Sequence, residues 1–583
     1  MARRLKDWKA GVIRVCAVLL ALSLLAACSP AALLESPVPT ATEPPLSPTA
    51  MPTPMVAEVP PATALPSHTP TPRTGQPARV WRISSPDGRW TALLNGTAGS
   101  LDLQGPGDET FPVLPGGSTV GTVNWSPDST HLLVVRTNWL PPQSGASIQA
   151  SGPAEIWRVR VEGDRVGDPV LLFQPTPQPR EQEGDVVGPS QIVLGQWSPD
   201  SRYVLFWLGP LSASILADGL PLQVLDVETR QVSSLADVTL LNPKYQSWAP
   251  DGSALVFTAG GSRLAQVNKW LNLFDVASGQ VTTVVSKTEQ IPGIVDWSPR
   301  GNLIAYAAVP AADAGQAAWM AFENPAIAGR RVYLLDPTTG RHWRLNDIGT
   351  FQDAPTWSDD GAILYYVQRE PDTMALMAAD PVTGQAQVVE GSRRPAPGAV
   401  GYYGQSDWDD LLAHCQPEAS RAAVPPLTET YIHPTCGYTL RYPAGWHVGQ
   451  GWQSLYGWQE MLTLTSYPPD ATAPDLGPFG GQALIAIQVV EVPAGDLETL
   501  LGETLASPGP GQLSSPDKDP VLTAFDQQER TVDGRPAVRL ETMGDFGTFN
   551  HVLVVLDGMQ GLILRGQGDG RVFDAMAESL RLP

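Results

Sequence analysis

The sequence predicts a mainly β chain in which an array of four-stranded repeats is followed by a smaller α+β domain. Three observations carry this. A Trp-Ser-Pro-Asp-Gly-like turn recurs six times between residues 84 and 361. Gly 55 and Pro 58 together make up about a fifth of the 583 residues, well above the usual ~12%, which favours turns over long helices. After residue 398 the repeat stops and a different pattern of strands begins, closing on a segment with apolar residues at helical spacing.

Before the array lies an address. Arg3, Arg4, Lys6, Lys9 and Arg14 precede an apolar run from Val15 to Ala27. That run is too short to span a bilayer comfortably and has the length of a signal-peptide core. It ends in Leu25-Ala26-Ala27-Cys28, which resembles a bacterial lipobox. The resemblance implies that residues 1–27 are removed, that Cys28 is acylated, and that the chain is held at a membrane facing away from the cytoplasm, at the cell surface or in the periplasm. Two or more acyl chains anchor stably where one does not.

Residues 28–78 read as a tether. From 29 to 78 there are 14 prolines and eight threonines, a composition that buries no core and favours extended polyproline II. At ~3.1 Å per residue its reach is up to ~150 Å.

The array occupies 79–392. Its turns are Ser84-Ser85-Pro86-Asp87-Gly88, Trp125-Ser126-Pro127-Asp128-Ser129, Trp197-Ser198-Pro199-Asp200-Ser201, Trp248-Ala249-Pro250-Asp251-Gly252, Trp297-Ser298-Pro299-Arg300-Gly301 and Trp357-Ser358-Asp359-Asp360-Gly361. Intervals of 41 to 72 residues mean a propeller or an array. Proline presets φ for the turn, Asp or Ser bonds its own backbone, and Gly supplies the positive φ at the reversal. An apolar strand follows each turn (Trp90–Leu94, His131–Val135, Tyr203–Trp207, Ala254–Thr258, Leu303–Ala307, Ile363–Val367). Such runs predict burial on both faces, between packed neighbours. Later Asp-centred turns at Asp226, Asp275, Asp336 and Asp380 supply a second hairpin, so each repeat has four strands.

This pattern resembles the TolB-type, WD-repeat-like propellers over about residues 79–392, and the resemblance implies a six-bladed β-propeller. Ser84 for Trp, Arg300 for Asp and Asp359 for Pro depart from the repeat and weaken single turns. The motif aspartates read as turn formers and the tryptophans as wedges between blades.

In a four-stranded blade the motif turns share one face. Connections from strand two to strand three, and from blade to blade, share the other. The long segments 138–153, 174–194, 208–221, 259–268 and 310–329 are all of the latter kind. They carry Trp139, Trp319 and Phe322, residue types suited to an interface. This face is the expected partner-binding surface, for an envelope protein or a glycan.

A connector, 393–425, contains a short helix expected at Asp407–His414. The domain 426–583 opens on an aromatic strand that ends Tyr442-Pro443-Ala444-Gly445-Trp446 and closes on a helix over 570–580 that ends near Ser579-Leu580. These features resemble PsbP-like domains, which implies an antiparallel sheet with flanking helices and a binding or accessory role. Strands are expected at 460–467, 483–492, 522–532, 535–542, 548–556 and 559–566, with a further helix at 494–506.

Chemistry is thinly represented. There is no Gly-x-Ser-x-Gly elbow, no His-Glu-x-x-His and no phosphate-binding Gly loop. Cys415 and Cys436 form an even pair suited to a disulfide in an oxidising compartment, and no metal-ligand spacing appears. A formal charge of −22 excludes phosphate-directed nucleic-acid binding, and a mean hydropathy of −0.09 excludes a polytopic membrane protein. The expectation is a monomeric, cofactor-free binding or scaffold protein, not an enzyme. The alternative is a cell-envelope glycan hydrolase or lyase with carboxylates in the propeller channel.

Overall fold

The computed structural model describes residues 80–95, 100–107, 109–114, 119–139, 151–175, 190–210, 218–311, 325–397, 400, 406, 408–412, 424–454, 457–466, 483–506, 524–543 and 549–583. The chain divides into two units, Met1–Pro66 and Ser67–Pro583, and every described residue belongs to the second.

Among the described residues, six antiparallel sheets of four consecutive strands follow one another as the blades of a propeller. Their first strands are Val80–Ser84, Thr119–Trp125, Ser190–Trp197, Gln246–Trp248, Gln290–Trp297 and Phe351–Trp357. In the second blade the outermost strand is split into Arg165–Val166 and Val170–Phe173. In the sixth it is split into Ala386–Val388 and Arg394–Pro395.

Each motif turn is closed by its own side chains. In the first turn Ser85 Oγ donates to Asp87 Oδ1 (2.6 Å), and the Trp90 N–H donates back to Ser85 Oγ (3.0 Å). The Arg89 N–H donates to Asp87 Oδ1 (3.1 Å). The same pattern repeats around Asp128, Asp200 and Asp360. In the fourth turn, where Ala249 replaces Ser, Ser253 supplies the hydroxyl to Asp251 (2.6 Å). Bonds from Ser85, Ser253 and the Ala362 N–H hold Asp87, Asp251 and Asp360 below the usual carboxylate range. They are turn formers.

The turns also link blades. Ser129 and Ser201 sit at φ 61° and 60°, where glycine is the ordinary choice. Each is held there by its hydroxyl, which accepts the N–H of the preceding turn's aspartate, Asp87 (3.0 Å) or Asp128 (3.1 Å). Arg300 reaches the carbonyl of Asp360 in the next blade (2.8 Å), so the departure in the fifth turn is itself an inter-blade contact.

The tryptophans behave as wedges. Trp125, Trp197, Trp248, Trp297 and Trp357 each join a core that includes side chains of the preceding blade. Central strands of the inner blades are buried on both faces, as in Ile304–Pro310. The first blade departs from this. Its strand Ser100–Gln104 alternates, with Leu101 and Leu103 buried and Ser100, Asp102 and Gln104 half-exposed. Among the described residues no hydrophobic cluster joins the first blade to the sixth. Phe351, Val367 and Leu376 of the sixth blade pack against Val400, Trp408 and Leu411 of the connector. The described part of the connector helix, Asp409–Leu412, falls within the expected Asp407–His414.

The C-terminal region contains a seven-stranded antiparallel sheet. Across the sheet its strands run His447–Ser454, Gly457–Thr465, Leu484–Glu491, Gln560–Gln567, Phe549–Asp557, Arg535–Met543 and Ala524–Val532. The helix Leu497–Ala506 covers one face through Leu500 against Leu540, Val552, Val554 and Ile563. The helix Gly570–Glu578 and the hairpin of Glu429–Ile432 with Thr439–Tyr442 cover the other, through Phe573, Met576, Tyr438 and Leu440. Asp569 caps the second helix by accepting the Arg571 N–H (2.9 Å). Arg394 of the sixth blade lies 3.8 Å from Glu541 of this sheet. No helix among the described residues is long and apolar enough to cross a membrane.

Candidate functional site

The face expected to bind a partner is best defined at the third and fourth blades. Between strand Ala254–Ala259 and strand Trp270–Asp275 of the fourth blade, the chain folds around one side chain, Lys269. Its ammonium is fully buried and donates to four carbonyls: Gly261 (2.8 Å), Ser262 (2.7 Å), Leu264 (3.2 Å) and Val267 (2.9 Å). Burial pushes this lysine down to about 7, and the charge of Asp218 pulls it the other way. Gly260 starts the loop at φ 124°, where a Cβ would meet the Asn268 carbonyl at 2.0 Å, so only glycine fits there.

Arg263 of this loop grips Asp218 of the third-blade connection through two bonds of 2.7 Å, and the pairing holds the Asp218 carboxyl below its ordinary range. The Gly260 N–H donates to the Val238 carbonyl, at the end of the third blade (2.9 Å). Two adjacent insertions are therefore fastened to each other and to the blade beneath. The fifth blade does the same at its own insertion: the Ala311 N–H donates to the Glu289 carbonyl (3.2 Å).

Near the axis, first strands of neighbouring blades touch. Asp296, just before Trp297, receives Ser247 Oγ of the fourth blade (3.3 Å) and the Trp357 N–H of the sixth (2.8 Å). Burial pushes its carboxyl up to about 6 despite these donors. Asp353, also on a first strand, is fully buried and paired with Arg330 (2.6 Å). It also accepts the indole N–H of Trp408 (3.2 Å), which ties the connector to the sixth blade. Asp296 and Asp353 are thus both engaged in joining elements. Among the described residues no group of His, Cys, Asp or Glu has the geometry of a metal site.

The structure brings few of the sequence-selected residues together. Trp139 ends strand His131–Trp139 and pairs with Ser151, so strands take up both ends of the segment read as a loop over 138–153. Trp319, Phe322, Cys28 and Cys415 lie outside the described residues. Cys436 is half-buried against the C-terminal core, and with Cys415 outside the description the pairing stays an expectation. Lys269, Arg263 and Asp218 were missed. Their only sequence signal is a lysine placed between a Gly-Gly-Ser loop and an apolar strand.

No family model matches the sequence, and no curated protein matches it. Solved structures similar to it include TolB from Acinetobacter baumannii, with 16% identity, a TM-score of 0.26, and coverage of 55% of this chain and 64% of that chain. A putative TolB from Agrobacterium tumefaciens has 16% identity and a TM-score of 0.23, covering 55% and 92%. Dipeptidyl peptidase 4 from Porphyromonas gingivalis has 11% identity and a TM-score of 0.36, covering 68% of this chain and 51% of that chain. The match thus spans under two thirds of the Acinetobacter TolB chain and half of the peptidase. These likenesses concern the fold alone. They do correct one expectation: enzymes such as this peptidase and an oligogalacturonate lyase are among the similar structures, so the reading of this chain as a non-enzyme is withdrawn.

Proposed function

We propose that this chain is a lipid-anchored, extracytoplasmic binding or scaffold protein. Cys28 carries the anchor, residues 28–78 form the tether, and the TolB-like propeller presents its insertion face to an envelope protein or glycan. The region from 426 onward is a PsbP-like accessory module in this reading. One observation carries it: the insertions of the third and fourth blades are fastened by the Lys269 cage and the Arg263–Asp218 pair. A loop ordered in advance loses less conformational entropy on binding. Neutral loop growth would give no reason to bury an ammonium among four carbonyls.

The test is retention of envelope components from a detergent extract by the full-length chain, beside a D218A/R263A double variant. Those side chains are only part-buried, and circular dichroism checks that the variant folds. The reading expects a component retained by the wild type and weakened at least tenfold in the variant. Equal retention by both would move recognition away from these loops.

A further inference from the structure

The outermost strand of a blade has one side unpaired, and proteins protect such edges with proline, charge, bulges or short length. Among the described residues, five of the six blades do so. Pro112 interrupts the edge Thr110–Leu114, and the second blade's edge is broken between Arg165–Val166 and Val170–Phe173. The third, Val232–Thr239, carries Asp237 and shifts register twice. The fifth is only His342–Arg344 and ends on a charge, and the sixth is split into Ala386–Val388 and Arg394–Pro395. The C-terminal sheet follows the same rule. Its edge Ala524–Val532 carries Asp526, Glu529 and Arg530, and its edge His447–Ser454 shifts register between Gln450 and Trp452.

The fourth blade is the exception. Its edge Gln280–Val285 reads Gln-Val-Thr-Thr-Val-Val, six residues without proline or charge and rich in strand-forming types. Residues 280–283 pair in unbroken register with 275–272, and the register shifts only beyond Thr283. Gln280, Val281, Thr282 and Thr283 are all exposed, Val281 by 38%. The preceding turn fixes which backbone groups point outward. The Gly279 N–H donates to the Asp275 carbonyl, as Arg230 does to Asp226 and Gly340 to Asp336. In those two turns the aspartate N–H donates to the carbonyl of the residue paired with it, Gln231 or Arg341. By the same turn Gln280 faces into its blade, and by alternation so does Thr282. The N–H and C=O groups of Val281 and Thr283 therefore point away from the blade, at the open edge.

We infer that this edge pairs with the same edge of a second copy of the chain, antiparallel about a two-fold axis at Thr282. The edge is its own complement: Val281 and Thr283 stand symmetrically on either side of Thr282, and each offers one donor and one acceptor. The axis sets Val281 of one copy opposite Thr283 of the other, and the outward groups make four backbone hydrogen bonds. The two Thr282 side chains meet at the axis as a cross-strand Thr–Thr pair. Two four-stranded blades thereby become one continuous sheet of eight strands. No charge lies in the strand, so no like-charge pair opposes the contact. The tether of residues 28–78 is a poor occupant for the same edge, because its prolines have no N–H for a ladder. A contact this short belongs to the weak class of interfaces and forms at high protein concentration. It replaces the monomer expected from the sequence. It lies on the outermost strand, away from the loop over 259–268, and is independent of the reading of that loop.

Light scattering of the full-length chain over a concentration series tests it. The mass should rise from one chain towards two. V281P removes an outward N–H while leaving the inward bonds of the blade in place, and should abolish the association. T282K and T282E each set like charges against each other at the axis, and each alone should associate about tenfold more weakly or worse. An equimolar mixture of the two sets Lys against Glu and should recover the association. Circular dichroism checks the fold of each variant, and if V281P does not fold, the T282K and T282E pair decides. A single-chain mass at every concentration, association unchanged in folded V281P or T282K, or a mixture no tighter than its components would overturn the inference.

Discussion

Lys269→Met is the sharpest perturbation of the propeller's insertion face. Methionine has a similar length but no donors, so the carbonyls of Gly261, Ser262, Leu264 and Val267 lose the ammonium that gathers them. A hydrogen bond to a charged group contributes about 1.5–3 kcal/mol, and contributions from four bonds to one atom do not add. Removing the ammonium also relieves the cost of burying it. The balance is a loss of about 3 kcal/mol if the loop keeps its shape. If the loop opens, water satisfies the carbonyls, the global loss shrinks, and local order fails instead. Two assays separate these cases. Urea unfolding followed by tryptophan fluorescence reads the global term. Trypsin cleavage after Arg263 reads the local one, because that bond lies in the loop and the variant removes the competing site at Lys269. We expect either a lowered unfolding midpoint or at least tenfold faster cleavage after Arg263. A variant that matches the wild type in both would refute the claim that Lys269 organises this loop.

Other predictions follow from the inter-blade joints. Asp296 has its carboxyl raised to about 6 against about 3.9 unfolded, so the folded chain holds the extra proton between those values. Its contribution to stability therefore falls as pH rises from about 4 to 6, by about 3 kcal/mol at most, and is flat above 7. The stability difference between wild type and D296N, measured from pH 4 to 8, should show that slope. Asp353→Ala removes the carboxylate shared by buried Arg330 and Trp408, and should cost about 3 kcal/mol or more in denaturant unfolding. Ser201→Ala keeps the unfavourable positive φ and loses the bond to the Asp128 N–H, so it should destabilise by about 1–2 kcal/mol. Ser201→Gly relieves the φ while losing the same bond, and calorimetric midpoints should place it close to wild type.

What the sequence made legible was local. The Pro-Asp-Gly turns are fixed by residues within five positions of one another, and Asp87, Asp128 and Asp360 close them as their spacing implies. The tryptophans before those turns were legible too, because a large ring at a recurring position needs a recurring wedge. The rule of two buried faces, applied to the strand after each turn, fails at Trp90–Leu94 of the first blade, where Trp90, Ala92 and Leu94 are buried but Thr91 and Leu93 are half-buried. What stayed hidden depends on distant partners. Lys269 reads as a surface lysine until the loop is closed around it. Trp408 reads as part of a linker until Asp353, 55 residues earlier, takes its indole N–H. Arg565 reads as one polar residue in an apolar strand, and only the folded sheet shows it buried against the last turn of helix Leu497–Ala506. The site followed the same division. Topology grouped the long insertions on one face, whereas Lys269, Arg263 and Asp218 were not legible; of the aromatic residues chosen, Trp139 ends a strand, and Trp319 and Phe322 lie outside the described residues.

The central claim is that recognition occurs on the insertion face. Hydrogen–deuterium exchange of the full-length chain, with and without the component it retains from envelope extract, tests this most directly. The account predicts new protection over 259–268 and over 218–219 with the third-to-fourth blade link at 240–245, and unchanged exchange at the motif turns. Protection confined to the motif turns, or to the C-terminal sheet, would contradict it.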